Sequence, residues 1–488
     1  MSNPTKIYND YVRANLPSTM TFDSTTDRYD INNHSFLSFK EANWYFKYVT
    51  KYGYTSLSVY AVNNFDPDLV FDFKQNYYRT GGTATTLSSA VTHTRASSAT
   101  MTNSSGTLVT VGNNVARTGH HVYNGSAWVN EGVLHESEAR TNLVTYSNDL
   151  NHSTWTKFRV VITQNVSGVT GPDGTQTVDK ITPIATNEQH RVWYGVSSTA
   201  VGETYSVYAK SAGYDYVWLG YYEGSVYGYA VVNLTNGVVT ASNTANYSVE
   251  ASTNGFYRIS VTKTASGTNP RYISISPSPT ASPTLNSSNV PLYTGDGTSG
   301  IYVWGAQIEA GAFHSSYIPT TGTAATRAAD VATIPTSAFG YNQKVGSVLF
   351  EGNVIKANIG TTIDRRIVEI SDGTTTNFIS VYQDVSVDQN LRIANGHAGV
   401  LSVNADTGYT LSDAQTFKVA IGIKLNNFAV SVDGGAVVTD TTGTVSNTLS
   451  QIDIGKLGGG TQYLNGHIKS IKYYPRRLTN TQLQELTT

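Results

Sequence analysis

Apolar and polar positions alternate with a period of two along most of this chain, the pattern of strands that turn one face to a core and the other to water. It is clearest over 204–210, 216–222, 228–234, 255–261 and 271–275, and again over 346–352, 366–370, 378–382, 417–422, 428–434 and 452–455. Turn signals separate these runs, among them Asn236-Gly237, and Asn124-Gly125 marks a hairpin between 122 and 129. Antiparallel strands at this spacing predict β-sandwiches. The first 66 residues read differently. They hold an aromatic cluster (Trp44, Tyr45, Phe46, Tyr48, Tyr52 and Tyr54), and 38–52 is the best helical candidate.

Composition sharpens that picture. Only 14% of residues are charged, while Gly numbers 43 and Tyr 33, as suits many short strands joined by tight turns. The net charge of -2 offers no general attraction to a phosphate backbone, so no nucleic-acid partner is expected. No window approaches the roughly 18 apolar residues of a membrane span, and no basic segment followed by an apolar run opens the chain, so neither membrane insertion nor signal-directed secretion is expected. Cysteine is absent, which leaves packing and subunit contacts to stabilise the fold.

Several blocks carry a family resemblance. One is the Gly-rich turn and strand 293–311, with Asp296, Gly297, Gly300, Trp304, Gly305 and Glu309; it continues into Ser316-Tyr317-Ile318-Pro319 and Thr326-Arg327-Ala328-Ala329-Asp330. Two others come earlier: His93-Thr94-Arg95-Ala96 with Asn103 and Gly106, and Glu138-Ala139-Arg140-Thr141-Asn142-Leu143 with Tyr146 and Asn148. In this order they resemble segments of bacteriophage virion proteins of the tail- or head-fibre type. That resemblance implies a carbohydrate-binding-module-like jelly roll over 142–322. The ending Leu464-Asn465-Gly466 to Pro475 and Thr479 similarly resembles a laminin-G or concanavalin-like jelly roll, placed over 335–488. The fold class is therefore all-β, with tandem antiparallel jelly-roll sandwiches and a small mixed N-terminal region. Residues 1–65 become a particle-attachment region or a small capping domain, 66–141 an irregular β linking region whose strands pack on the sandwich that follows, and 323–330 an Ala-rich hinge.

The candidate chemistry lies in the middle segment. A sugar ring stacks its C–H face on Trp or Tyr while polar side chains take its hydroxyls, and the candidates are Trp193, Tyr194, Trp218 and Tyr222, with Arg191 in support. Tyr221, Tyr227, Tyr229, Gln189 and Glu223 lie nearby, and alternation puts Tyr216, Trp218 and Tyr222 on the face opposite Val217, Leu219 and Tyr221. The competing expectation is that these aromatics simply fill the sandwich. The resemblance also implies a structural calcium, for which Asp149 and Glu309 are the available carboxylates. His120-His121 is expected on a solvated loop.

No Glu-x-Asp-x-x-Glu run, nucleophile elbow, Walker loop or His-Glu-x-x-His occurs. The function expected is a non-enzymatic virion structural protein, made in the host bacterial cytoplasm, that recognises host-surface glycans. The resemblance adds virion partners bound through the N-terminal region and a homotrimer. A purely architectural decoration or adaptor component is the alternative, and a glycan depolymerase the third.

Overall fold

The computed structural model describes three short strands, Met20–Asp23, Arg28–Ile31 and His34–Phe36, and then residues 66–488 apart from 197–201, 224–225, 245, 264–270, 356–363 and 457–461. The three short strands form one antiparallel sheet. The helix expected over 38–52 lies outside the described residues.

The middle segment is a jelly-roll sandwich of two six-stranded antiparallel sheets. The front sheet runs in the order Trp155–Phe158, Arg191–Val196, Arg271–Ser278, Tyr216–Glu223, Val226–Asn233, Val239–Ser242. The back sheet is built around Glu203–Ala212 and Gly300–Ala310. Alternation places Val192, Val217, Leu219, Ile273 and Ile275 of the front sheet against Val207, Ile259, Ile301 and Val303 of the back sheet, all fully buried. The back sheet's outer face is covered in turn. Tyr208, Trp304 and Tyr317 pack there with Val178 and Phe256, and Leu108 of the hairpin Ala99–Thr102/Leu108–Val111 lies against them.

The second sandwich departs from the expected order along the chain. Its ten-stranded sheet holds the late strands Val345–Val354, Phe417–Lys424 and Asn465–Tyr474, but also Leu69–Asp72, Tyr77–Thr80 and the hairpin Arg117–Tyr123/Trp128–Glu136. Leu69–Asp72 pairs with Ser470–Tyr473, and Val133–Glu136 pairs with Asn465–Ile468. In the seven-stranded partner sheet, Thr92–Thr94 forms the edge beside Val331–Pro335. Apart from the hairpin Ala99–Thr102/Leu108–Val111, which does pack on the middle sandwich, the strands from Leu69 to Glu136 therefore belong to the sheets of the C-terminal sandwich. The reason is burial: Leu69, Phe71 and Tyr78 enter the same core as Phe350, Ile471 and Tyr473.

The middle sandwich is accordingly an insertion. Its incoming strand Arg140–Asn142 and outgoing strand Ala325–Arg327 pair with one another, with Arg140 opposite Arg327. The Ala-rich stretch is thus a fixed strand instead of a hinge, because Arg327 and Asp330 within it are fully buried. The chain closes as the sequence suggests, with Pro475 after the last strand and a helix Asn480–Thr487 capped by a Thr479/Gln482 capping box.

Candidate functional site

Two places in the molecule concentrate polar chemistry. The first is the junction between the sandwiches, where the quoted blocks converge. Asp330 accepts from Arg95 Nη1 (2.9 Å), Arg117 Nη2 (2.5 Å) and the Glu136 backbone N–H (2.9 Å), and His93 Nε2 stands 3.4 Å away. Glu136 is held by Arg117 Nη1 (2.6 Å), Arg327 Nε (3.2 Å), and the Ser316 N–H (2.8 Å) and hydroxyl (2.7 Å). Burial by itself would raise both carboxyl pKa values. The His93 hydrogen bond and Arg117 instead hold Asp330 well below the usual carboxylate range, and Arg327 and Arg117 do the same for Glu136. Asn142, also fully buried, donates to the Ala306 and Ile318 carbonyls and accepts from the Val144 and Ile308 N–H groups. Both carboxylates are thus fully engaged by the chain itself, so the junction is a clasp, although Arg117 Nε and His93 Nδ1 remain buried without a hydrogen-bond partner.

A cleft of about 310 Å³ opens beside the clasp, walled by Met101, Tyr123, Trp128, Phe313 and His314. His120 contributes to it from the strand Arg117–Tyr123, where its Nδ1 accepts from the Thr102 N–H (3.1 Å) and its ring stacks on His467 at 5.0 Å. It does not stand on a solvated loop, because the hairpin folds back over the last long strand.

The second place is the outer face of the front sheet. Since Val192, Tyr194 and Val196 point into the core, Arg191, Trp193 and Gly195 point out. Strand register then lines up Thr156, Trp193, Ser274, Gly220 and Tyr229 in one row across the sheet, and Gly195, Tyr272, Tyr222 and Tyr227 in the next. The glycines decide how the rings lie. A Cβ on Gly220 would stand 2.3 Å from the Trp218 ring, and one on Gly195 would stand 3.0 Å from Tyr272, so both rings lie flat over bare backbone. Trp218 also stacks on Tyr229 at 5.7 Å, and Tyr222 packs near Tyr272 at 6.4 Å. Arg191 lies over Trp193, 4.6 Å from the ring centre. Trp193 is half-buried, and Tyr222 and Tyr227 are 40% and 41% exposed.

This face leaves polar atoms unanswered. Ser274 Oγ, Trp218 Nε1 and Arg191 Nε are buried without a hydrogen-bond partner, an arrangement proteins keep rare because each such group costs about 1–3 kcal/mol. One end of the sheet is closed by the following loop, where Val290 and Leu285 pack on Trp218 and leave it 3% exposed.

Of the residues the sequence singled out, Arg191, Trp193, Trp218 and Tyr222 share this face. Tyr194 does not. It follows Trp193 on one strand and so points to the opposite side, where it packs on Trp155 (5.1 Å) and bonds through its hydroxyl to Thr145 (3.0 Å). Ser274 and Tyr272 were missed because only strand pairing brings them between Trp193 and Tyr222. The calcium pair is not a matching donor set. Asp149 caps a turn by accepting from the Asn151 and His152 N–H groups, whereas Glu309 is fully buried and accepts from Gln307 and Ser315. Among the described residues no group of three or more acidic or histidine side chains could hold a metal ion.

No protein-family model matches this chain, and no curated protein does. Solved structures match in part. The CBM40 of Ruminococcus gnavus IT-sialidase, bound to α2,3-sialyllactose, is 11% identical over 30% of this chain and 84% of its own, with a TM-score of 0.25. Domain 4 of AbnA, a GH43 extracellular arabinanase from Geobacillus stearothermophilus in complex with arabinotriose, is 16% identical over 33% of this chain and 73% of its own, at 0.26. Sheep galectin-11 in complex with glycerol is 11% identical over 29% and 95%, at 0.22. Each covers a third of this chain or less and says nothing of what the chain binds.

Proposed function

We propose that this chain is a non-enzymatic glycan-binding component of a bacteriophage virion, a tail or head fibre that recognises a host-surface sugar through the outer face of its front sheet. The observation that carries the binding role is the outward row of accessible rings, Trp193 beneath Arg191 with the exposed Tyr222 and Tyr227 beside it, next to the bare backbone of Gly195. Such a surface stacks on a pyranose and offers hydrogen bonds to its hydroxyls. Hydrolysis of a glycosidic bond needs two carboxylates flanking it, and the outward positions of this face present none among the described residues. The virion context rests on the sequence blocks alone. With it come a homotrimer and attachment to other virion proteins through residues 1–65.

Adhesion of the purified chain to host cells tests the reading. Trp193→Ala should weaken adhesion by about 1–3 kcal/mol while leaving melting nearly unchanged. Wild-type protein that ignores host cells and glycan panels, yet is located on particles by antibody-labelled negative staining, would leave the architectural alternative in its place.

A further inference from the structure

We infer that the sugar taken by this face carries a carboxylate, and that Arg191 is the residue that pairs with it; the inference rests on the glycan-binding reading above. Arg191 is the one charged side chain that the described strands place on the outward side of this platform. Elsewhere Arg95, Arg117, Arg140, Arg271, Arg327, Arg366 and Arg392 each have a carboxylate within reach, and Arg477, which has none, spends its guanidinium on oxygens of Asn427, Leu478 and Asn480. Arg191 has none. Burial lowers its pKa, and the only neighbour that counters this is the phenol of Tyr222. No ion pair joins it to Glu188, the acidic residue nearest in sequence.

The position suits recognition. Trp193 covers one side of the guanidinium at 4.6 Å, which holds the fork still and removes water from one of its faces. Nε is buried and unpartnered, while the terminal nitrogens have no protein partner and remain accessible. A planar fork with free donors beside a stacking ring matches a carboxylate bidentately, since the acid group of a uronic or sialic acid projects from the ring that Trp193 would stack. An arginine that merely packed on an exposed tryptophan would show no preference between an acid and its neutral counterpart.

The test is calorimetric titration of the full chain with oligogalacturonate and with sialyllactose, each against its carboxyl-reduced counterpart, plus a sulfated galactan as an anion control. One acidic sugar should bind roughly tenfold to a hundredfold more tightly than its reduced form, and the uronate and sialoside arms identify its source. Arg191→Gln should abolish that preference and keep weak binding of both forms, with an unchanged melting temperature. Trp193→Ala should weaken acid and reduced sugar alike. Equal binding of both forms, a preference that survives Arg191→Gln, or equal capture of the sulfated galactan overturns the inference and leaves glycan binding intact. Binding of none of these probes, together with host adhesion insensitive to Trp193→Ala, overturns the glycan reading and the inference with it.

Discussion

The junction and the front face are built on opposite rules. At the junction three arginines meet two carboxylates in near-complete burial, and backbone or hydroxyl donors fill the remaining places. On the front face one arginine lies over a tryptophan without a carboxylate, and a serine and an indole are left without partners. The blocks that carry the family resemblance supply the first region: Arg95, Arg140, Asn142, Ser316, Arg327 and Asp330 all lie in it or beside it. They supply nothing to the second. The resemblance therefore speaks to how the sandwiches are joined, and the residues that would choose a ligand lie in the part of the chain where it is silent.

The largest expected effect breaks the junction at the level of the chain. Residues 335–488 expressed alone should fail to fold cooperatively, because the strands Leu69–Asp72, Thr92–Thr94 and Trp128–Glu136 are missing from their sheets. Residues 66–142 joined by a short linker to 325–488 should fold, as judged by a single urea transition. A cooperative transition in the shorter fragment would contradict the insertion.

A point change should come next. Asp330→Ala leaves Arg95 and Arg117 buried with one carboxylate fewer, and losing one member of a buried ion cluster costs about 3–5 kcal/mol. The same measurement on Arg191→Gln should show less than about 0.5 kcal/mol, which sets the two regions apart on one scale.

Two tryptophans of the same sheet sharpen the contrast. Trp155 is 1% exposed and donates to the Tyr146 carbonyl (3.0 Å), so Trp155→Ala should cost about 3–5 kcal/mol in chemical denaturation. Trp193→Ala should cost under about 1 kcal/mol of stability and act on binding instead. Trp218 does not discriminate, being both near the platform and packed under Val290.

The most gradual effect is on acidification. His135 and His467 are buried neutral, with pKa values pushed down to about 4 and about 3, chiefly by burial. Their unfolded counterparts take up protons below about pH 6.5. Folding stability is therefore fully present above that pH and falls as pH drops toward 4, by up to about 1.4 kcal/mol per pH unit for each group. Asp330 and Glu136 are depressed from 3.8 and 4.5, so their contribution is full above about pH 4.5 and is lost only below it. Urea midpoints between pH 7 and 3 should fall in that order, and His467→Gln should make the first stage shallower, with the His135 part of it remaining.

Much of the fold was legible because strand periodicity is local. Val217, Leu219 and Tyr221 fall in the core and Trp218 and Tyr222 opposite them, as alternation requires. Pairing across the chain was not legible. Nothing around Leu69 states that its partner is Tyr473, and Arg95 meets Asp330 across 235 positions. The platform was half legible for the same reason: Trp193 and Arg191 stand two apart on one strand, but the glycines that let the rings lie flat matter only after the register is set. Tyr194 was included because a cluster of aromatics in sequence need not be a cluster on one face.

The paired strands Arg140–Asn142 and Ala325–Arg327 have a mechanical meaning. The inserted sandwich is fastened to its scaffold at both ends of its own sequence, side by side, with Asn142 and Arg327 buried as rivets. A single protease nick in any loop between 143 and 324 would therefore leave each fragment still strapped to the scaffold. A pull on the front sheet would be shared between two strands instead of falling on one.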